Sequence, residues 1–403
     1  MGKTDYKEAT ELLIENVSPI GTCMAGLDDL YGRILAEDLL AGEDVPYFAK
    51  SPYDGYAFRA DDTSDCSKEN PVTLKVIENI KAGQCAKNEV ISGTAVRLMT
   101  GAPLPKGADA ICKYEDTSFT ESEVTLFRPY AAGENVITIG EDFKKGTVLA
   151  TKGTRVDIGI IGTASSLGFN EIKVYKRPIA GILSTGDEIV DPEEEMPYGK
   201  IRNSNRYTIA AALNQLGFDT VYLGRADDNV TAIAELISKG EEIADIIVST
   251  GGVSVGDYDL VPDAMEQKGY RIFTRGVNMK PGMACAYGVR DGKLLFALSG
   301  NPASSLTNLQ CICAPALRKL TGLSDYGHKV IQMTLKKDFK KGSNAVRFIR
   351  GALELKEGKA FLTASYDQGN IVISSAINCN AYGIIPPNVS PVLSGETVEG
   401  FVF

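Results

Sequence analysis

The chain has 403 residues, with 42 Lys and Arg against 52 Asp and Glu, a net charge of −10, and 44% apolar content. That size and composition describe a globular protein of roughly two to four domains, and the acidic balance argues against a general nucleic-acid partner, which requires a basic face. No apolar run approaches the roughly 18–20 residues that cross a bilayer, and Met1 to Glu8 lacks the apolar core of a secretory signal, so a cytoplasmic protein with no membrane partner is expected.

Ala9, Leu12, Leu13 and Val17 recur at helical spacing and predict an amphipathic helix over 4–17. A second helical stretch is expected over Gly26–Leu40. From Glu43 to Gly146 the chain turns to short β-prone runs (72–77, 90–91, 96–98, 110–114 and 124–128) punctuated by Gly, Pro and Asn, which reads as a small β-rich domain. Residues 157–166 are small and apolar and predict a helix. From Pro178 strands and helices alternate. Strands are expected at 179–183, 220–223, 245–249, 271–274, 284–289 and 294–298, and helices at 207–216, 230–239, 260–267 and 302–320. Asn203 or Ser204 can cap the first of these helices and Gly217 ends it. This pattern is an α/β sandwich of roughly 150 residues, whose ligands gather at the carboxyl ends of its strands. After about Ser324, short alternating strands return, predicting a C-terminal barrel or half-barrel.

His328 is the only histidine, which nearly removes Ser-His-Asp, Cys-His and His-ligated zinc chemistry. The eight cysteines are scattered without a C-x-x-C, so buried or reduced thiols are expected rather than a zinc site or a disulfide framework. Acid–base and metal work therefore falls to Asp, Glu, Lys, Ser and Thr.

The most informative run is Asp245 to Asp259, where a short apolar strand feeds a turn carrying Gly251, Gly252 and Gly256 and then Asp257 and Asp259. Glycines let backbone N–H groups converge on an oxyanion, and a following helix start adds partial positive charge. Carboxylates beside such a cradle repel a phosphate unless a hard cation such as Mg²⁺ sits between them. A second acidic glycine turn, Ser184-Thr185-Gly186-Asp187-Glu188, ends a neighbouring strand. Alone it reads equally well as a surface turn, but two such loops on one sheet point to a site. Lys280, in Met279-Lys280-Pro281-Gly282, is expected just after a strand, where it can meet an anion. Asn301-Pro302 opens the last helix with free N–H groups and Ser304 or Ser305; Asn301 can equally be a plain N-cap. Ser51 to Phe58, Thr100 to Pro105 and Gly140-Glu141-Asp142 read only as loops. There is no G-x-x-x-x-G-K-[ST] loop, which disfavours a generic nucleotide hydrolase.

These motifs together resemble the molybdopterin molybdenumtransferase family, which includes MoeA and the E domain of gephyrin. The matching stretches are S-P-Y-D-G-Y-A at 51–57, R-L-M-T-G-A-P-L-P at 97–105, G-E-D at 140–142 and S-T-G-D-E at 184–188. They continue with N-S-N-R at 203–206, T-G-G-V-S-V-G-D-Y-D at 250–259, M-K-P-G at 279–282 and S-G-N-P at 299–302. The resemblance implies a homodimer of multidomain α/β and β subunits. It divides the chain into a discontinuous first domain (1–47 with 143–176), an inserted β-rich domain (48–142), a molybdopterin-binding α/β domain (177–324) and a C-terminal β domain (325–403).

The implied reaction is Mg²⁺-assisted insertion of molybdate into adenylylated molybdopterin, giving molybdenum cofactor and AMP. The implied site lies between the α/β domain and the loops around Asp54 and Thr100 of a second subunit. By the family motif, Glu188, Asp257 and Asp259 are metal- or phosphate-side carboxylates, and Asp54, Thr100 and Asp142 complete the catalytic set. Thr185, Gly251, Gly252, Ser254, Lys280, Asn301 and Ser304 are substrate contacts. Two positions depart from the family pattern: Ser299 stands where Pro is usual, and Met283 where a Lys or Leu follows Lys-Pro-Gly. Those departures leave a tungstate-preferring homologue or a diverged pterin-binding scaffold as the alternatives.

Overall fold

The computed structural model describes residues 3–253 and 260–403. They form two compact units, one of residues 38–151 with 162–169, the other of residues up to 37, 152–161 and 170–403.

The smaller unit is built on a six-stranded sheet ordered Ala110–Lys113, Gly55–Phe58, Thr94–Leu98, Val72–Ile80, Glu123–Leu126 and Ser118–Phe119. Alternation splits its apolar residues between two faces, with Tyr56, Phe58, Leu74 and Val124 on one and Ala57, Val96, Leu98 and Ile111 on the other. Gly55–Phe58, expected as loop, is therefore a fully buried strand between two neighbours. Residues 90–91, expected as a strand, form a loop instead: Val90 N–H bonds Lys106 O and Ile91 N–H is taken by the Thr94 hydroxyl.

In the larger unit the first helix is Tyr6–Glu15, capped by Asp5, whose carboxylate accepts from Lys7 N–H at 2.8 Å. The helix expected over 26–40 is absent. Only the 3₁₀ turn Leu27–Asp29 forms; Gly32 then takes φ +75°, and Ile34 and Leu35 bridge in extended form to Arg155 and Val174.

The central six-stranded sheet runs Asp219–Ala226, Ile179–Thr185, Ile246–Thr250, Lys293–Leu298, Cys285–Arg290 and Arg271–Arg275. The first four are parallel; Cys285–Arg290 runs antiparallel to them, and Arg271–Arg275, antiparallel to it, resumes their direction. Its inner strands are nearly continuous apolar runs because helices cover both faces. Ser204–Gln215 packs on one face with the Pro302–Asn308 helix, which continues through a π turn at Leu309–Cys313 into Ala314–Leu320; Val230–Ile243 and Val261–Gln267 cover the other.

The expected C-terminal barrel is a closed five-stranded one. Val346–Lys356, Lys359–Ala364, Val330–Leu335, Thr397–Val402 and Ala381–Ile385 pair in that order, and the last pairs back to the first. Met279–Lys280 is not a loop after a strand but a short strand of its own, laid parallel on Val346 and Arg347 at the barrel margin. Among the described residues no helix is long and apolar enough to cross a membrane.

Candidate active site

Three loops at the carboxyl ends of adjacent strands enclose a cleft of about 670 Å³. They are the loops at 184–188, 250–253 and 299–302, and Asn203, Asn205 and Asp228 line the cleft with them. Of the expected residues, Thr185, Glu188, Gly251, Gly252 and Asn301 meet here. Ser254, Asp257 and Asp259 lie outside the described residues.

The glycines have a steric reason. Gly251 has φ +97°, and a Cβ there would sit 2.6 Å from Thr185 O and 2.7 Å from Thr185 Oγ1. Gly186 has φ +131°, a conformation L side chains rarely adopt, and a Cβ there would also displace the Glu188 carboxylate, 2.4 Å away. Among the described residues Thr185 Oγ1 is buried and finds no hydrogen-bond partner. An orphaned hydroxyl on a cleft wall is costly unless a ligand satisfies it.

Acidic charge concentrates at one end of the cleft. The strand beginning at Asp219 runs to Ala226 rather than ending near Leu223. A register shift beside Ile182 and Leu183 carries it on, so that Ala226 lies opposite Thr185. Asp227 and Asp228 therefore emerge beside the 184–188 turn, and Asp228 N–H donates to Asp187 Oδ1 at 3.1 Å. Burial pushes the Asp228 carboxyl above its ordinary value, and the charges of Asp187, Glu188 and Asp227 add to that. Sequence reasoning missed Asp228; the signal was the Ala-Asp-Asp run following a strand. Among the described residues no three acidic, His or Cys side chains converge closely enough to hold a metal.

The frame of the cleft is polar and tightly bonded. Asn203 caps the Ser204–Gln215 helix through Arg206 N–H, and its Nδ2 donates to Asp191 Oδ1 at 3.0 Å and approaches Ser184 Oγ at 3.2 Å. Asn205 Nδ2 donates to Gly300 O at 2.8 Å, tying that helix to the Ser299–Pro302 turn.

The start of the Pro302 helix departs from expectation. Its N–H groups are not free: Ala303 and Ser304 both donate to Asn370 O, at 3.0 and 3.3 Å, and Asn301 supplies no side-chain cap. Ser304 is buried, and neither it nor Lys280 is among the described lining residues. Lys280 lies on the barrel-bound strand, and the following Gly282 packs on the helix, where its carbonyl accepts from Asn308 Nδ2 at 2.8 Å.

In the smaller unit, Asp54 and Thr100 lie at the ends of neighbouring strands and do meet. Asp54 Oδ1 accepts from Thr100 N–H at 2.7 Å and from its hydroxyl at 2.8 Å, and these bonds hold the exposed carboxyl below its ordinary range. Asp142 is exposed on a turn whose backbone N–H donates to Val45 O at 3.0 Å.

A glycine-lined, acidic cleft at the carboxyl ends of parallel strands, in a chain that also carries a closed barrel and a separate β unit, defines a multidomain α/β protein with a ligand cleft. Known proteins give that class its family. Models for the MoeA N-terminal region (domains I and II), a probable molybdopterin binding domain and the MoeA C-terminal region (domain IV) match residues 4–168, 181–319 and 332–403.

The molybdopterin molybdenumtransferase of Bacillus subtilis is 36% identical over 378 residues, covering 93% of this chain and 88% of that protein. The one from Staphylococcus epidermidis is 33% identical over 394 residues, covering 98% and 94%. The crystal structure of the molybdopterin biosynthesis moeA protein of Pyrococcus horikoshii superposes with a TM-score of 0.86 at 30% identity over the full length of both chains. The chain belongs to the molybdopterin molybdenumtransferase (MoeA) family, whose members are transferases of molybdenum cofactor biosynthesis.

Proposed function

We propose that this protein inserts molybdate into adenylylated molybdopterin with the help of Mg²⁺, releasing AMP and forming molybdenum cofactor. The observation that carries the reading is the cleft itself, which is lined by Thr185 with its unpartnered buried hydroxyl, three positive-φ glycines and two carboxylates. A pterin carrying a dithiolene and a phosphoanhydride is a polyanion, and such a cleft suits it. Gly251 and Gly252 let their loop close against Thr185, and in this reading the Thr185 hydroxyl donates to a ligand oxygen. Asn203 and Asn205 hold the loops in place.

The residues present fit a hard cation. Asp228 and Glu188 are oxygen donors at the acidic end, and the raised Asp228 carboxyl marks a place where added positive charge stabilises the fold. Glu188 and Asp228 would hold it, together with Asp257 and Asp259 of the motif. Bound there, Mg²⁺ supplies charge neutralisation for cleavage of the phosphoanhydride. Asp54, Thr100 and Asp142 complete the site from a second subunit in this reading, which makes the working form a cytoplasmic homodimer. Lys280 and Ser304 serve as oxyanion contacts in the loaded enzyme. The four-part domain division, with 48–142 inserted between 1–47 and 143–176, belongs to the same reading.

Incubation with adenylylated molybdopterin, molybdate and Mg²⁺ should release AMP in proportion to cofactor formed. Tight pterin binding without molybdate-dependent AMP release would overturn the proposal in favour of a scaffold. Replacing molybdate by tungstate in the same assay reads the oxyanion preference that Met283 and Ser299 leave open.

A further inference from the structure

The central sheet has a second charged depression at its opposite end. Arg33, Arg155, Lys176 and Arg177 line a cleft of about 390 Å³, with Asn214 and a single acid, Asp219. Among the described residues none of these four cations forms an ion pair. Two are held in place by main chain instead. Arg33 Nη2 donates to Tyr175 O at 3.0 Å, and Arg155 Nη1 donates to Gly32 O at 3.4 Å. A guanidinium has five N–H donors, so most remain for a ligand.

Arg155 also lines an adjoining depression of about 460 Å³, where it faces Arg318. Burial, and after it the charge of Arg155, holds Arg318 below its ordinary value. Cations gathered in a concave site on a chain of net charge −10 repel one another unless an anion joins them. Solvated surface lysines need no such explanation, but tethered guanidiniums around a cleft of small-molecule size do.

We propose that this cleft binds a small phosphate-chain anion, a diphosphate or a nucleoside polyphosphate, at a site separate from the candidate active site. Guanidinium forks match phosphate oxygens bidentately, which favours phosphate chains over isolated carboxylates. The strand Ile179–Thr185 starts beside Arg177 and Pro178 and ends at Thr185 on the candidate active cleft. At about 3.3 Å per residue the two clefts are about 20 Å apart, on opposite ends of the sheet.

The test is calorimetric titration of the whole protein with pyrophosphate at low salt, with ATP and sulfate as comparison ligands. Saturable pyrophosphate binding is expected, weakened about tenfold or more by Arg155→Glu and by the exposed Arg177→Glu, and unchanged by Thr185→Val in the other cleft. ATP binding that competes with pyrophosphate would identify the nucleotide as the source of the phosphate chain; pyrophosphate binding alone would identify the free diphosphate. Circular dichroism checks that both charge reversals fold, and Arg177→Ala serves if either does not. Absent binding, binding indifferent to these substitutions, or equal affinity for sulfate would overturn the proposal. So would charge reversal that abolishes self-association while pyrophosphate fails to bind, since the cleft would then be a contact between copies.

Discussion

Gly251 offers a direct test of how the candidate cleft is built. Gly251→Ala carries two penalties. The first is the left-handed backbone, φ +97°, which costs an L-residue about 1–2 kcal/mol. The second is the new methyl group, 2.6 Å from Thr185 O and 2.7 Å from Thr185 Oγ1. Displacing a well-packed wall of that kind costs about 1–3 kcal/mol more. Gly199 separates the two, because it has φ +89° with no atom of the described residues within 4 Å of its Cβ position. Gly199→Ala should therefore cost about 1–2 kcal/mol and Gly251→Ala about 2–5 kcal/mol. Urea unfolding followed by far-ultraviolet circular dichroism measures both, and pterin binding should fall only for Gly251→Ala. Equal destabilisation by the two substitutions, or unimpaired pterin binding by Gly251→Ala, would refute the packing of Gly251 against Thr185 as a determinant of the cleft.

Three further outcomes are expected. Thr185→Val removes an orphaned buried hydroxyl, so it should leave melting unchanged or raise it while weakening pterin binding about fivefold, one neutral hydrogen bond of about 1 kcal/mol. Asp228→Asn relieves a carboxylate crowded by Asp187, Glu188 and Asp227, so the melting temperature should rise while the Mg²⁺ needed for half-maximal AMP release rises about tenfold or more. His328, stacked on Phe401, has its pKa lowered by burial to about 4, so its neutral form is the folded one. The depressed folded value means that its contribution is present above pH 6.5 and lost as pH falls toward 4. The loss is about 3 kcal/mol, and comparing wild type with His328→Phe across that range isolates it from the carboxylates.

Local signals carried much of the fold. Asn203 at a helix start, the Gly-Gly turn after an apolar strand, and alternation after Ser324 each act within a few residues, and each formed the element they indicate. Long-range pairing overrode them elsewhere. Ile34 and Leu35 look helical by spacing but take extended partners more than a hundred residues away. Gly55–Phe58 looks like a loop because its glycine and aromatics suit turns, yet Gly55 is required where a Cβ would lie 1.9 Å from Cys112 O. Asp228 escaped notice because a register shift decides where its strand ends. The Asn370 carbonyl escaped it because main chain distant in sequence closing a helix leaves no trace in residue type.

That last contact has a consequence for how the cleft tolerates change. The group that closes the helix at Ala303 and Ser304 is a backbone carbonyl, present whatever side chain stands at 370. Position 370 is therefore free to drift in identity while the wall of the cleft beneath it stays fixed. Neighbouring Ile371, which lines the cleft and is 69% exposed, can be varied in the same way to retune what enters without dismantling the support. Laboratory libraries at 370 and 371 should accordingly yield altered selectivity far more often than lost folding.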